Sequence, residues 1–178
     1  MFPEQSTERL WLQQIVPDDQ PFIFEGLSHP EVTPFYGVSY QTLEETERQM
    51  EWYRTMLTTG TGIPWKIVLK ETGEKMGVIS VYFYRPEHRK AELGFWLLPQ
   101  FWGKGYALEA LHQIIRYWQQ EKQLHRLEAF VETDNVASGK LLQRAGFQHE
   151  GTMHDCEIKN GRFISLTIYA LIAGSHRE

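Results

Sequence analysis

The sequence predicts an α/β fold, a single mixed β-sheet with helices on both faces. Three observations carry that prediction. Runs with two-residue alternation and runs with helical spacing interleave in the order β-α-α-β-β-β-α-β-α-β-β. At the centre, an apolar run enters a two-glycine turn, a helix and then another strand-like run, the pattern of a crossover connection. Near the end, Asn160-Gly161 divides two long β-prone runs and is the strongest short hairpin signal in the chain.

Taken in order, Arg9 to Val16 sets Leu10 and Leu12 against polar neighbours, with Trp11 on the other face, and reads as a first strand. Pro17-Asp18-Asp19 starts a helix running to about Leu27. Ser28 to Gly37 is a loop with Pro30, Pro34 and the adjacent aromatics Phe35 and Tyr36. Thr42-Leu43-Glu44-Glu45 has the form of a capping box, opening a helix whose inner face would carry Leu43, Met50, Tyr53 and Leu57. Thr58 to Gly62 ends it. Pro64–Lys70, Met76–Tyr84 and Ala91–Leu98 read as strands, the first two joined by a turn at Thr72-Gly73. Ala107, Leu108, Leu111, Ile114, Ile115 and Trp118 recur at helical spacing. His125–Glu132 is another strand. Asp134-Asn135 caps a helix from Val136 to Ala145 that Gly146 terminates. Phe147–Lys159 and Arg162–Ile172 form the closing hairpin.

Composition narrows the function classes. A chain of 178 residues, 42% hydrophobic and 23% charged, fits one domain over 1–178 with an ordered core of about 7–172. No apolar run approaches the ~20 residues that span a bilayer. Met-Phe-Pro-Glu-Gln-Ser lacks the basic flank and apolar stretch of a secretory signal. One cysteine, Cys156, excludes an internal disulfide and agrees with a reducing cytoplasm, the expected location. Without a histidine or base at a recognisable spacing, Cys156 reads as buried filler rather than a nucleophile. A net charge of −5 argues against nucleic acid as the main ligand and suits a cationic amine. The seven histidines show no metal-ligand spacing, so no metal is expected.

The central turn carries the chemistry. Gly103-Lys104-Gly105 lies between a strand and a helix, where backbone N–H groups lack internal partners and the helix dipole is positive. Such a turn can hold a phosphate, with Lys104 adding a charge. A P-loop would need four residues between its first glycine and a Gly-Lys-Ser/Thr. Here Tyr106 follows instead. The dinucleotide fingerprint would need a third glycine. The pattern present is Gln-x-x-Gly-x-Gly, Gln100 to Gly105. It resembles the pyrophosphate loop of the GCN5-related N-acetyltransferases, which bind acetyl-coenzyme A. Phe101-Trp102-Gly103-Lys104-Gly105-Tyr106-Ala107, followed by Glu109-Ala110-Leu111, is similar to the branch containing the ribosomal-protein N-terminal acetyltransferases. So are Asn135-Val136-Ala137-Ser138, Leu141 to Phe147, Glu150-Gly151 and Gly161 through Tyr169 and Leu171. Many relatives carry a tyrosine where this chain has Leu142, and often an aspartate where it has Ser165, so neither role transfers.

The resemblance implies a mostly antiparallel sheet of about seven strands, with a splayed central pair holding the cofactor. Acetyl-CoA would be anchored by Gln100, Phe101, Trp102, Gly103, Lys104, Gly105, Tyr106 and Ala107. Its pantetheine arm would lie along Phe95, Trp96, Leu97 and Leu98, with a backbone N–H around Phe95 to Leu97 polarising the thioester. Asn135 and Ser138 would meet the cofactor's far side, although helix capping explains both equally. Alternation places Glu92, Gly94 and Trp96 on one face, making Glu92 a candidate base unless it pairs with Lys90 or Arg89. Glu132 is the second candidate, with capping or a cofactor-side contact as its alternative; His154 and Asp155 are weaker. Phe35, Tyr36, Tyr82 and Tyr84 are expected to line the acceptor pocket, though Phe35 and Tyr36 also fit a core under a loop. The expected reaction is direct attack by a primary amine, a protein or peptide N-terminal α-amine or a small amine such as a polyamine, aminoglycoside or amino acid. A non-catalytic acyl-CoA-binding module is the alternative. Dimers in the branch make a homodimer an expectation resting on resemblance alone.

Overall fold

Two nearly all-apolar segments, Ile63–Leu69 (β3) and Lys75–Arg85 (β4), sit at the middle of the sheet, where both faces are covered. Strands buried on both faces lose the apolar–polar alternation of an exposed sheet, and Ile67, Val68, Leu69, Val78 and Ile79 illustrate this. The computed structural model describes residues 1–174. Around that pair lie β1 (Gln5–Ser6), β2 (Leu10–Gln14), β5 (Lys90–Leu97), β6 (Arg126–Glu132), β7 (Gln148–Lys159) and β8 (Arg162–Ile172). The helices are α1 (Gln20–Ser28), α2 (Glu47–Thr59), α3 (Tyr106–Glu121) and α4 (Val136–Arg144). Among the described residues, eight strands follow the order β1-β2-β3-β4-β5-β6-β8-β7, and the only parallel pair is β5 with β6. The two-residue β1, pairing Gln5 with Leu12, is the strand that the sequence count of seven lacked.

Helices α1 and α2 cover one face. Gly26 of α1 lies so close to Trp96 that an added Cβ would stand 2.1 Å from its ring, and Trp52 of α2 meets Tyr82 edge-on at 5.4 Å. On the other face α3 presents Trp118 to Tyr84 and Tyr117 to Trp65, and α4 contacts α3. Thr42 opens the α2 segment as expected: the Glu45 N–H donates to its hydroxyl at 3.2 Å, and the Glu45 carboxylate accepts from the Gln41 N–H at 2.9 Å. The first turn is 3-10 over Glu44–Thr46, and the buried face carries Gln49, Tyr53 and Met56. Of the expected face, Tyr53 is buried and Met50 and Leu57 pack half-buried against the core, while Leu43 is exposed. An apolar count could not see Gln49, which is buried because the Tyr40 hydroxyl donates to its carbonyl at 3.0 Å.

The closing hairpin turns at Asn160 and Gly161 with φ of 51° and 74°, the left-handed pair that its sequence requires. Its register shifts between Met153 and Glu157, so His154, Asp155 and Cys156 bulge outward. The Ser165 hydroxyl fixes the bulge by accepting the Asp155 N–H at 3.0 Å. Cys156 is exposed there, not buried as expected.

Candidate active site

Strands β5 and β6 pair only through Lys90↔Arg126, Ala91↔Leu127 and Glu92↔Glu128, then diverge. The resulting V is the splayed pair expected from the sequence. Strand parity settles which backbone groups face it. Leu98 donates its N–H to Met76 at 2.8 Å, on the β4 side, so Trp96 and Gly94 also point their amides toward β4. Phe95 and Leu97 therefore present theirs to the opening, and the Leu97 carbonyl there accepts the Trp102 indole N–H at 2.8 Å. Leu98 itself is buried and lines no cavity, and the Trp96 ring is buried against Phe22. Trp96 nevertheless borders the trough beneath the V, whereas the Leu98 side chain does not.

Below the V lies a trough of about 670 Å³ built around the glycine turn, lined by Phe101 through Leu108 and, across from them, by Asn135, Ala137, Ser138, Leu141 and Arg144. Gly103 and Gly105 have φ of 71° and 81°, which L side chains rarely adopt. That conformation delivers the chain into α3 with its first N–H groups toward the trough. Arg9 braces the turn from outside. Its Nε donates to Glu109 at 2.6 Å, its Nη1 to the Lys104 carbonyl at 3.1 Å, and its guanidinium lies 4.5 Å from the Tyr106 ring centre. Burial would raise the Glu109 pKa, but hydrogen bonds from Thr7 and Arg9 outweigh it and hold the carboxyl below its usual range. Gln100 stands exposed in the 3-10 turn Pro99–Phe101, outside the trough, because that turn carries the chain past the strand end before the glycines begin.

Above the V is a second cleft of about 650 Å³. Its walls include Glu92, Gly94, Tyr82, Phe83, Trp52, Arg48, Tyr40, Glu132, Met153 and Glu157. Phe35, Tyr36, Phe95, Asn135 and Ser138 line both cleft and trough, so the two spaces meet where the strands part. Tyr36 packs against the core, whereas Phe35 is 44% exposed. Glu92 is half-buried and makes neither of the ion pairs weighed for it. Lys90 bonds Glu128 at 3.0 Å and Arg89 bonds the Gln123 carbonyl at 2.7 Å. Burial first, and the Glu128 charge second, push the Glu92 pKa up despite Lys90 and Arg85. Glu132, the other candidate base, is tied to Lys159 of β7, which also donates to the Pro34 carbonyl. Asn135 caps α4 by accepting the Ser138 N–H at 3.2 Å.

Tyr84 lies outside the cleft. Phe83 has φ of 49° and the β4–β5 register shifts between Tyr82 and Arg85, so alternation breaks and Tyr84 turns to Trp118 on the opposite face. Among the described residues no group of three His, Cys, Asp or Glu could hold a metal ion, and no helix is long and apolar enough to cross a membrane.

Residues 9–148 match the family model described as Acetyltransferase (GNAT) domain. The chain belongs to that family. Uncharacterized N-acetyltransferase YoaA of Bacillus subtilis is 33% identical over 97% of this chain and 98% of its own length. The Ribosomal-protein-serine acetyltransferase of Escherichia coli is 25% identical over 92% and 87%. A solved RimL ribosomal L7/L12 α-N-protein acetyltransferase in complex with coenzyme A superposes with a TM-score of 0.85 at 22% identity, covering 94% and 96%. The protein is an N-acetyltransferase of the GNAT type.

Within this GNAT domain, Leu142 is fully buried, so the departure from the family's tyrosine is an apolar core position. Several lining residues escaped the sequence reading. Arg144 continues the Ala137, Leu141 stripe of α4 at helical spacing, a signal that the Asn135-Ser138 pair could have prompted. Arg48 and Trp52 share a face of α2, but nothing local says that this face meets the closing hairpin. Arg9 carries no local signal at all.

Proposed function

We propose that this acetyltransferase transfers the acetyl group of acetyl-CoA to a primary amine by direct attack, and that the acceptor is the N-terminal α-amine of a peptide or protein. One observation carries the reading: a glycine-turn trough and a carboxylate-bearing cleft open into one another where β5 and β6 separate. The trough suits the cofactor in its chemistry, with left-handed glycines, unpaired helix-start amides and the cations Lys104 and Arg144. Acetyl-CoA supplies the acetyl group as an activated thioester. Gly103 to Ala107 would seat its diphosphate, and the Phe95 and Leu97 backbone would receive the amides of its arm. A Phe95 N–H aimed at developing negative charge on the carbonyl oxygen is worth about 3 kcal/mol of barrier. Glu92 takes the proton from the attacking nitrogen, directly or through water. Its raised pKa makes it a stronger base than an ordinary carboxylate.

The relative named for a ribosomal-protein serine supports an α-amine acceptor and a cytoplasmic setting. The test measures thiol release from acetyl-CoA against peptides of varied first residue, spermidine, an aminoglycoside and free amino acids. Peptides should be turned over fastest. A small amine outpacing every peptide would replace the acceptor reading, and no thiol release with any amine would leave a binding module. Glu92→Gln should lower kcat by about 100-fold while sparing acetyl-CoA affinity. An equal fall in both would sink the base assignment.

A further inference from the structure

Glu92 and Glu128 are the last residues in register before β5 and β6 part, so two carboxylates stand side by side at the base of the V. Their surroundings differ. Glu128 is 7% exposed and accepts from Lys90 at 3.0 Å and from the Arg126 Nε at 2.6 Å, and Arg126 is held in turn by Glu150 at 2.9 Å. The Glu92 side chain has neither a hydrogen bond nor an ion pair among the described residues. Yet Lys90 is two positions away on the same face of the same strand and lies within electrostatic reach of it. The ammonium has two carboxylates to choose from and sits on Glu128.

We infer that Glu128 is a positioning residue for the catalytic base: by holding Lys90 it keeps the ammonium off Glu92 and leaves that carboxylate open to the acceptor's nitrogen. The inference rests on the assignment of Glu92 as base. An ion pair with Lys90 would occupy a Glu92 oxygen and stabilise its charged form, making it a weaker proton acceptor. The neighbours facing Glu92 are Tyr82 and Arg85 from β4 and Glu128 from β6, with Arg48 of α2, Glu132 of β6 and Glu157 of β7 in the same cleft. Glu128 holds two cations directly, Lys90 and Arg126, and of these Lys90 shares the strand and face of Glu92. Arg126 keeps Glu128 anchored, and Glu150 keeps Arg126 from turning inward.

The experiment is a pH profile of kcat/KM on the full chain. In Glu128→Gln, Lys90 is released toward Glu92 and the neighbouring Glu128 charge is lost, two changes that act in the same direction on Glu92. The acid limb should move down by about one unit, and kcat at the plateau should fall at least tenfold with KM for acetyl-CoA unchanged. Lys90→Met added to Glu128→Gln should restore both limb and turnover, which a purely structural role for Glu128 would not produce. An unmoved acid limb in Glu128→Gln, or a loss that Lys90→Met leaves unrescued, overturns the inference. If Glu128→Gln does not fold, Glu128→Asp, which withdraws the carboxylate from Lys90 but keeps the Arg126 pairing charge, must show the same shift at smaller amplitude or the inference fails. Full turnover in Glu92→Gln would instead overturn the base assignment on which it rests.

Discussion

Gly105 takes a φ of 81° at the residue before α3, the last step of the turn that aims the first helical amides into the trough. Valine at that position would carry a β-branched side chain into a conformation costing about 1–2 kcal/mol, with its Cβ 3.4 Å from the Arg9 guanidinium. Gly105→Val should therefore raise the acetyl-CoA Kd at least tenfold by calorimetry while far-UV circular dichroism stays native. Unchanged affinity would refute the anchoring role. This turn was legible in the sequence because glycine answers a local demand, a positive φ next to a helix start. Tyr84 was misread for the same reason in reverse. The left-handed Phe83 that turns it away is a non-glycine, so no residue type marked the break in alternation. Glu92 was legible as a side chain on the right face, but the absence of a partner was not, because Glu128 reaches Lys90 only through the pairing of β5 with β6.

The β7–β8 hairpin closes the cleft as an element, and one lysine latches it. Lys159, at the end of β7, donates to Glu132 at the end of β6 and to the Pro34 carbonyl in the loop after α1. Three segments that flank the cleft are thus joined at a single ammonium. Lys159→Met should loosen the hairpin. Faster amide exchange across 153–164 and a several-fold rise in acceptor KM are expected, with KM for acetyl-CoA unmoved. Glu132→Gln should copy that result and leave the acid limb of the pH profile in place, whereas loss of the limb would return Glu132 to candidacy as the base. Helix α1 offers a second test of element packing. Its Gly26 lies flush on Trp96, so Gly26→Ala overpacks a rigid ring and should cost about 2 kcal/mol in urea titration. Unchanged stability would mean that Trp96 has room to move. The hairpin turn was visible in Asn160-Gly161. Its latch was not, since Lys159, Glu132 and Pro34 meet only after the sheet is assembled.

Across the whole molecule, order and strand type were readable because two-residue and helical periodicities are properties of short windows, as in β3 and α3. Contacts between distant segments were not, and the buried charge cluster under α1 is one of them. Asp19, in the 3-10 turn Pro17–Asp19, is 1% exposed. It accepts from Lys66 of β3 at 2.7 Å, pairs with Lys75 of β4 at 2.6 Å and takes the Val16 N–H at 2.8 Å. One carboxylate thereby fixes the entry of α1 to two central strands. Burial would raise its pKa, but the two lysines and the Val16 amide outweigh burial and hold it below the usual carboxylate range. The sign follows directly. A depressed carboxylate favours the folded state at pH values above the unfolded value near 3.8, and that contribution disappears as pH falls through the lower folded value. Asp19→Asn removes the titrating group and leaves Lys66, whose side chain is 11% exposed, without its anion. It should cost about 3 kcal/mol at pH 7. Thermal melts of both proteins from pH 7 down to pH 2 should converge at the acid end, because protonation of Asp19 in the native chain does what the substitution does. Parallel melting curves over that range would show that the Asp19 charge contributes nothing to holding α1 on the sheet.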